Sequence, residues 1–247
     1  MIVNSYLLYQ QERFENSEVT EIELRNLYRL FYKLDAAERS NLDKWIEKYP
    51  SSYAAHLARG IYYKRLGQAA RGYEFIAETS QKEIDAMLVN FEIAESELIS
   101  SLALTEKPFL SIFHLSTIMG HLCRKQELKK LLDDANKILP LNTLMRNRYQ
   151  FYLSPKWCGS HDEMKAFIQQ AKDANLPESH ILQLKAIMED DMASLSLSNG
   201  DRARAVVHYM KALNLAERVG GSFQEDWLFS SNYNRCRVPE LKKRYCK

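Results

Sequence analysis

Apolar residues recur every three or four positions along most of this chain. In the stretch EIELRNLYRLFYKLD, residues Leu24, Leu27, Phe31 and Leu34 make one stripe, and the spacing predicts a helix. Asp35 stands three residues before Glu38, a capping-box spacing that predicts a short second helix through Leu42, Trp45 and Ile46, closed by Pro50. The pattern over 53–66 predicts a helix that stops at Gly67, with another expected over 69–77. Ser80 and Glu83 form a second capping box. It opens the longest periodic run, Met87, Phe91, Ala94, Leu98 and Leu102, expected to reach residue 104 before Lys107-Pro108 interrupts it.

The stops then acquire a rough period. Pro108, Pro140 and Pro177 are 32 and 37 residues apart. Between and beyond them the pattern predicts helices over 109–120 and 127–139, 144–153 and 162–174, then 179–197 and 202–219. Three successive helix-turn-helix units of about 35 residues are the mark of a helical solenoid, in which stacking covers the apolar face that each pair exposes alone.

Composition supports helices. Glycine (8) and proline (6) are scarce, whereas sheet folds rich in tight turns use more of both. With 46% hydrophobic and 27% charged residues the chain can bury a core, which argues against disorder. A net charge of +2 lacks the basic excess expected of a phosphate-backbone binder, so nucleic acid is not an expected partner. Cys123, Cys158, Cys236 and Cys246 are too dispersed for a CxxC redox motif or a zinc knuckle. The N-terminus lacks the cationic start and continuous apolar run of a leader, and no stretch approaches about 18 uninterrupted apolar residues. The expectation is a cytoplasmic protein with reduced cysteines and no membrane partner.

The last predicted unit, NGDRARAVVHYMKALNLA, resembles the second half of a tetratricopeptide repeat. Gly200-Asp201 form the turn, Ala205 fills the small crossing position, Tyr209 the bulky one, and Ala212-Leu213 the closing pair, with Ala193 small on the preceding helix. HLARGIYYKRLGQAARGY resembles the first half, with Gly60 at the small position, Gly67 at the turn and Gly72 at the next close crossing. The motif PKWCGS, followed by Glu163-Met164, resembles the Pro-Arg-Trp-Gly-Gly-Ser hallmark of an uncharacterised bacterial family of tetratricopeptide-like proteins. Lys156 replaces its Arg and Cys158 its first Gly. The implied architecture is all-α, a right-handed superhelix of stacked antiparallel helix pairs. The expected divisions are an N-terminal helical cap (1–50), divergent repeats (51–219) and a C-terminal capping segment (220–247), where Ser222, Glu225, Trp227, Leu228 and Phe229 close the end.

Candidate chemistry is thin. In PKWCGS, Pro155 stops one helix, Gly159 permits a tight bend and Ser160 caps the next with Glu163, while Trp157 covers the joint. The functional alternative exposes Lys156 and Trp157 to a groove beside helix-start amides. Cys158 and His161 lie close in sequence but have no assured geometry as nucleophile and base. His114 and His121 can share a helix face without supporting carboxylates, and Glu189-Asp190-Asp191 reads as a solvated acidic face. Glycine-rich phosphate loops, HExxH and a nucleophile elbow are missing from the sequence, so no cofactor, metal or catalytic residue is expected.

Fourteen tyrosines favour surface recognition. Arg59, Tyr62, Lys64, Arg71, Arg148, Lys156 and Trp157 are the expected partner-binding residues, with Tyr62 pointing outward and the cations suited to an acidic peptide or protein surface. The expected function is non-enzymatic protein binding, with neutralisation of a secreted bacterial toxin as one specific setting. The alternatives are a peptide-binding regulatory or chaperone-like adaptor, and a hydrolytic enzyme centred on the Trp157 loop.

Overall fold

The computed structural model describes residues 2–72, 79–220 and 223 of the 247. Among them there are helices and turns and no strand, so the fold is all-α. Contacts divide the chain into two compact units, residues 1–142 and 143–247. The expected capping segment over 220–247, with Trp227, Leu228 and Phe229, falls outside the described residues except for Gly220 and Phe223, as do positions 73–77 of the helix expected over 69–77.

The first unit holds α1 (Ile2–Glu15), α2 (Glu21–Leu27), α3 (Arg39–Lys48), α4 (Tyr53–Arg71), α5 (Gln81–Ser101), α6 (Phe109–His121) and α7 (Lys125–Ile138). Its most extensive contact is between α4 and α5, followed by α6 with α7 and α5 with α6. Helix α6 is apolar nearly all round and every residue from 109 to 120 is buried, which makes it the centre of this unit. Met87, Phe91, Ala94 and Leu98 form the buried face of α5, as their spacing predicts. Asn4 ties α1 to its neighbours: its Oδ1 accepts from Trp45 Nε1 at 2.9 Å and from Ser52 Oγ at 2.6 Å, beside the Ser52 cap of α4. Glu15 anchors the other end of α1, accepting from Gln11 Nε2 and the Lys107 amide, each at 3.0 Å, and from the Thr105 hydroxyl.

Local signals hold where the capping chemistry is complete and fail where packing overrides it. Ser80 and Glu83 form the full capping box of α5. Asp35 does not open a helix. Its Oδ1 accepts from the Ala37 amide at 2.8 Å in a 3₁₀ turn over Ala36–Glu38, and α3 begins only at Arg39. The stripe from Leu24 likewise breaks, passing from α2 into a 3₁₀ turn over Tyr28–Tyr32. Gly67 does not stop α4, which continues to Arg71 and ends at Gly72 with φ +71°.

The second unit holds α8 (Leu144–Tyr152), α9 (His161–Asp173), α10 (Glu178–Ser198) and α11 (Arg202–Val219). Helices α10 and α11 pack along their length, and α8 and α9 both contact α10. Ala193, Ala205 and Tyr209 form one buried cluster with Leu197 and Leu213 against it, so the small residues do lie where the helices approach. Gly200, at φ +80°, makes the turn, and Asp201 caps α11 by accepting from the Arg204 amide at 3.0 Å.

Candidate binding groove

Six of the seven expected partner-binding residues are withdrawn from solvent to some degree. Tyr62 is 1% exposed and donates from its hydroxyl to the Asp35 carbonyl at 3.1 Å, so it points inward. Lys64, also 1% exposed, places Nζ 3.1 Å from His114 Nδ1 and 3.4 Å from the Tyr32 hydroxyl, and 4.6 Å over the Tyr32 ring. Arg71 and Arg148 are buried. Arg59 is half-buried, bonded to Glu97 and, at 2.9 Å, to Asp43, with its guanidinium over the Tyr63 ring. Trp157 is buried, its ring 5.5 Å from that of Tyr152. Lys156 alone of the set is exposed, above the Trp157 ring. The α4 cations lie on a helix that is covered on most sides, which periodicity alone does not reveal.

The PKWCGS loop is built for the backbone. Ser160 Oγ accepts from the Glu163 amide at 3.1 Å and caps α9. A Cβ on Gly159 would lie 2.0 Å from the Leu153 carbonyl oxygen, so glycine is required there by contact. The left-handed bend falls instead on Cys158, at φ +66°. Cys158 and Cys123 are both disulfide-bonded, which corrects the expectation of reduced cysteines for these two. Disulfides belong mainly to oxidising compartments. Cys158 therefore offers no free thiol, and His161 is engaged elsewhere, its Nε2 2.8 Å from Asp191 Oδ2.

The acidic run on α10 is likewise structural rather than solvated. Asp191 reaches His161 on α9, and Glu189 Oε2 lies 2.6 Å from His208 Nδ1 on α11. These pairs fasten α10 to its two neighbours. His180, in the first turn of α10, has its pKa lowered by burial and by the nearby positive charge of Arg146.

Between those neighbours lies a groove of about 750 Å³. Helix α9 contributes Lys165, Ile168, Gln169 and Lys172, spaced along one face. Helix α10 supplies Lys185, Met188 and Glu189, and α11 supplies Met210, Lys211, Asn214 and Leu215. The floor is apolar and the rim basic: four lysines face one carboxylate, and that carboxylate is bonded to His208. Lys165 donates to Asp162 at 3.0 Å, whereas Lys185 and Lys211 have no ion-pair partner among the described residues. The expected cationic groove residues Arg59, Lys64, Arg71 and Arg148 lie on α4 and α8, none of the four lines this groove, and the sequence pattern did not reveal it. The available signal was the seven-residue spacing of Lys165 and Lys172 on a single helix.

Among the described residues no group of three metal-ligating side chains converges, and no helix is long and apolar enough to cross a membrane. No protein-family model, curated protein or solved structure matches this chain.

Proposed function

We propose that this chain is a non-catalytic protein-binding module, in which helix pairs stack in the manner of tetratricopeptide repeats and the α9–α10–α11 groove receives an acidic segment of a partner protein. The groove carries the reading. An apolar floor of buried Ile168 with half-buried Met188 and Leu215, and exposed Met210 beside it, gives anchoring side chains somewhere to go, and methionine adapts its shape to them. The lysine rim selects acidic over basic partners and speeds encounter. A nucleic acid would use the lysines but leave the floor without an occupant. The pairing of α4 with α5, α6 with α7 and α10 with α11 supports stacked repeats, as do the small residues at the α10–α11 contact.

The test is affinity capture from the native host with native mass measurement, using the wild type and Lys185→Glu/Lys211→Glu. A stoichiometric partner held by the wild type and lost by the variant is expected. A partner retained undiminished by a folded variant would place recognition elsewhere. The partner's identity separates toxin neutralisation from regulation.

A further inference from the structure

The first unit carries a surface of the kind the groove selects. Helix α5 buries Met87, Phe91, Ala94 and Leu98, yet its opposite face is not simply polar. Leu88, Val89 and Ile99 are exposed there, Val89 at 59%, and Asp85 and Glu92 stand on the same face. The helix holds five carboxylates against one lysine. An exposed ridge that is both apolar and acidic, with its two carboxylates seven residues apart, is the complement of an apolar floor flanked by lysines.

The spacing also matches. Asp85 and Glu92 are separated along α5 by the same number of residues as Lys165 and Lys172 along α9, about 10 Å on either helix axis. Leu88 and Val89 fall between the two acids, as Ile168 and Gln169 fall between the two lysines. A ridge of this form fits a groove between two helices in the ordinary manner of helix packing.

We propose that the groove of one molecule receives the α5 ridge of a second copy, so that the free protein self-associates and a partner must displace that ridge. The inference rests on the reading of the groove as a receptor for acidic segments. The two faces differ, so the contact is heterologous, and the product is a closed ring or an open chain. Either raises the native mass as concentration rises. The charged rim makes the association weaken with salt.

The experiment is sedimentation of the whole protein from about 1 μM to about 1 mM, the span of weak to moderate affinities. Two variants are compared, Lys165→Glu/Lys172→Glu in the groove and Asp85→Lys/Glu92→Lys on the ridge, each checked for helicity and melting temperature. The wild type is expected to grow beyond its 28.8 kDa monomer, and each variant alone to associate about tenfold more weakly. An equimolar mixture of the two is expected to recover association, because every ridge then meets a groove of opposite charge. A wild type monomeric throughout overturns the proposal, as does a mixture no stronger than its components. A monomeric wild type that still captures a partner through Lys185 and Lys211 would overturn self-association alone. Self-association with no captured partner would instead remove the partner-binding reading.

Discussion

Gly67 lies directly against the ring of Phe91, so that a Cβ at residue 67 would come within 2.4 Å of Phe91 Cδ1. Gly60, two turns earlier on α4, meets Leu98 in the same way at 2.6 Å. These two glycines set the close approach of α4 and α5. Gly67→Ala gains about 1 kcal/mol of helix propensity and loses about 1–3 kcal/mol to overpacking. The expected net effect is destabilisation, read by urea denaturation. Adding Phe91→Leu should recover much of the loss, giving a favourable coupling between the two substitutions. An alanine at 67 that stabilises the protein would show that the helices separate freely here.

Cys158 occupies a left-handed position where the resembled family motif has glycine, and it is disulfide-bonded. The two facts oppose one another energetically. A cysteine in that conformation costs about 1–2 kcal/mol relative to glycine, whereas a disulfide typically contributes about 2–4 kcal/mol. Oxidised wild type should therefore be more stable than Cys158→Gly, and under strong reduction the order should invert. Paired denaturation curves with and without reductant check this. Cys123, at φ +56°, has the same left-handed backbone and should show the same inversion.

Arg59 is held by charge, ion-paired with both Glu97 and Asp43. Burial works against its charge, but the Glu97 and Asp43 carboxylates outweigh that cost and hold its pKa above the ordinary value. His56 shares Glu97, its Nδ1 2.7 Å from Oε2, so the acid binds two residues of α4 to α5. Arg59→Glu would set three carboxylates together. A loss of about 1–3 kcal/mol in stability is expected, between the ranges for exposed and buried pairs. Partner capture corrected for the unfolded fraction should be unchanged. A binding loss without a stability loss would return Arg59 to the recognition surface.

The helices were legible because burial is periodic: Met87, Phe91, Ala94 and Leu98 can share only one face of a helix. The Ser80 and Ser160 caps were legible because their chemistry is local. Gly67 was misread because a glycine that ends a helix and one that admits Phe91 look alike until the neighbour is known. Glu189 and Asp191 read as solvated for the same reason, since their histidines come from two other helices. The groove escaped because its lysines arrive from three helices, and each alone resembles an ordinary wet face. Convergence of that kind is a property of packing.

His180 provides the acid-sensitive element of the second unit. Its Nδ1 has no hydrogen-bond partner among the described residues, and burial together with the Arg146 charge lowers its pKa below the ordinary 6.5. As pH falls, the unfolded chain takes up this proton before the folded one does. Stability from this site is therefore complete above pH 6.5 and declines as pH falls from there to the folded-state pKa. His180→Gln has nothing to titrate and should flatten the decline that begins as pH falls below 6.5. Arg146→Gln should also flatten it, because removing the neighbouring charge brings the folded-state pKa back toward 6.5. Glu15 acts lower on the scale: burial opposes its charge, but bonds from Thr105, Gln11 and the 106–107 amides hold its pKa below 4.5. Its stabilisation is lost only as pH falls further, so the two limbs separate. Urea midpoints at half-unit pH steps would resolve them, and a His180→Gln slope equal to the wild type just below pH 6.5 would remove His180 from this role.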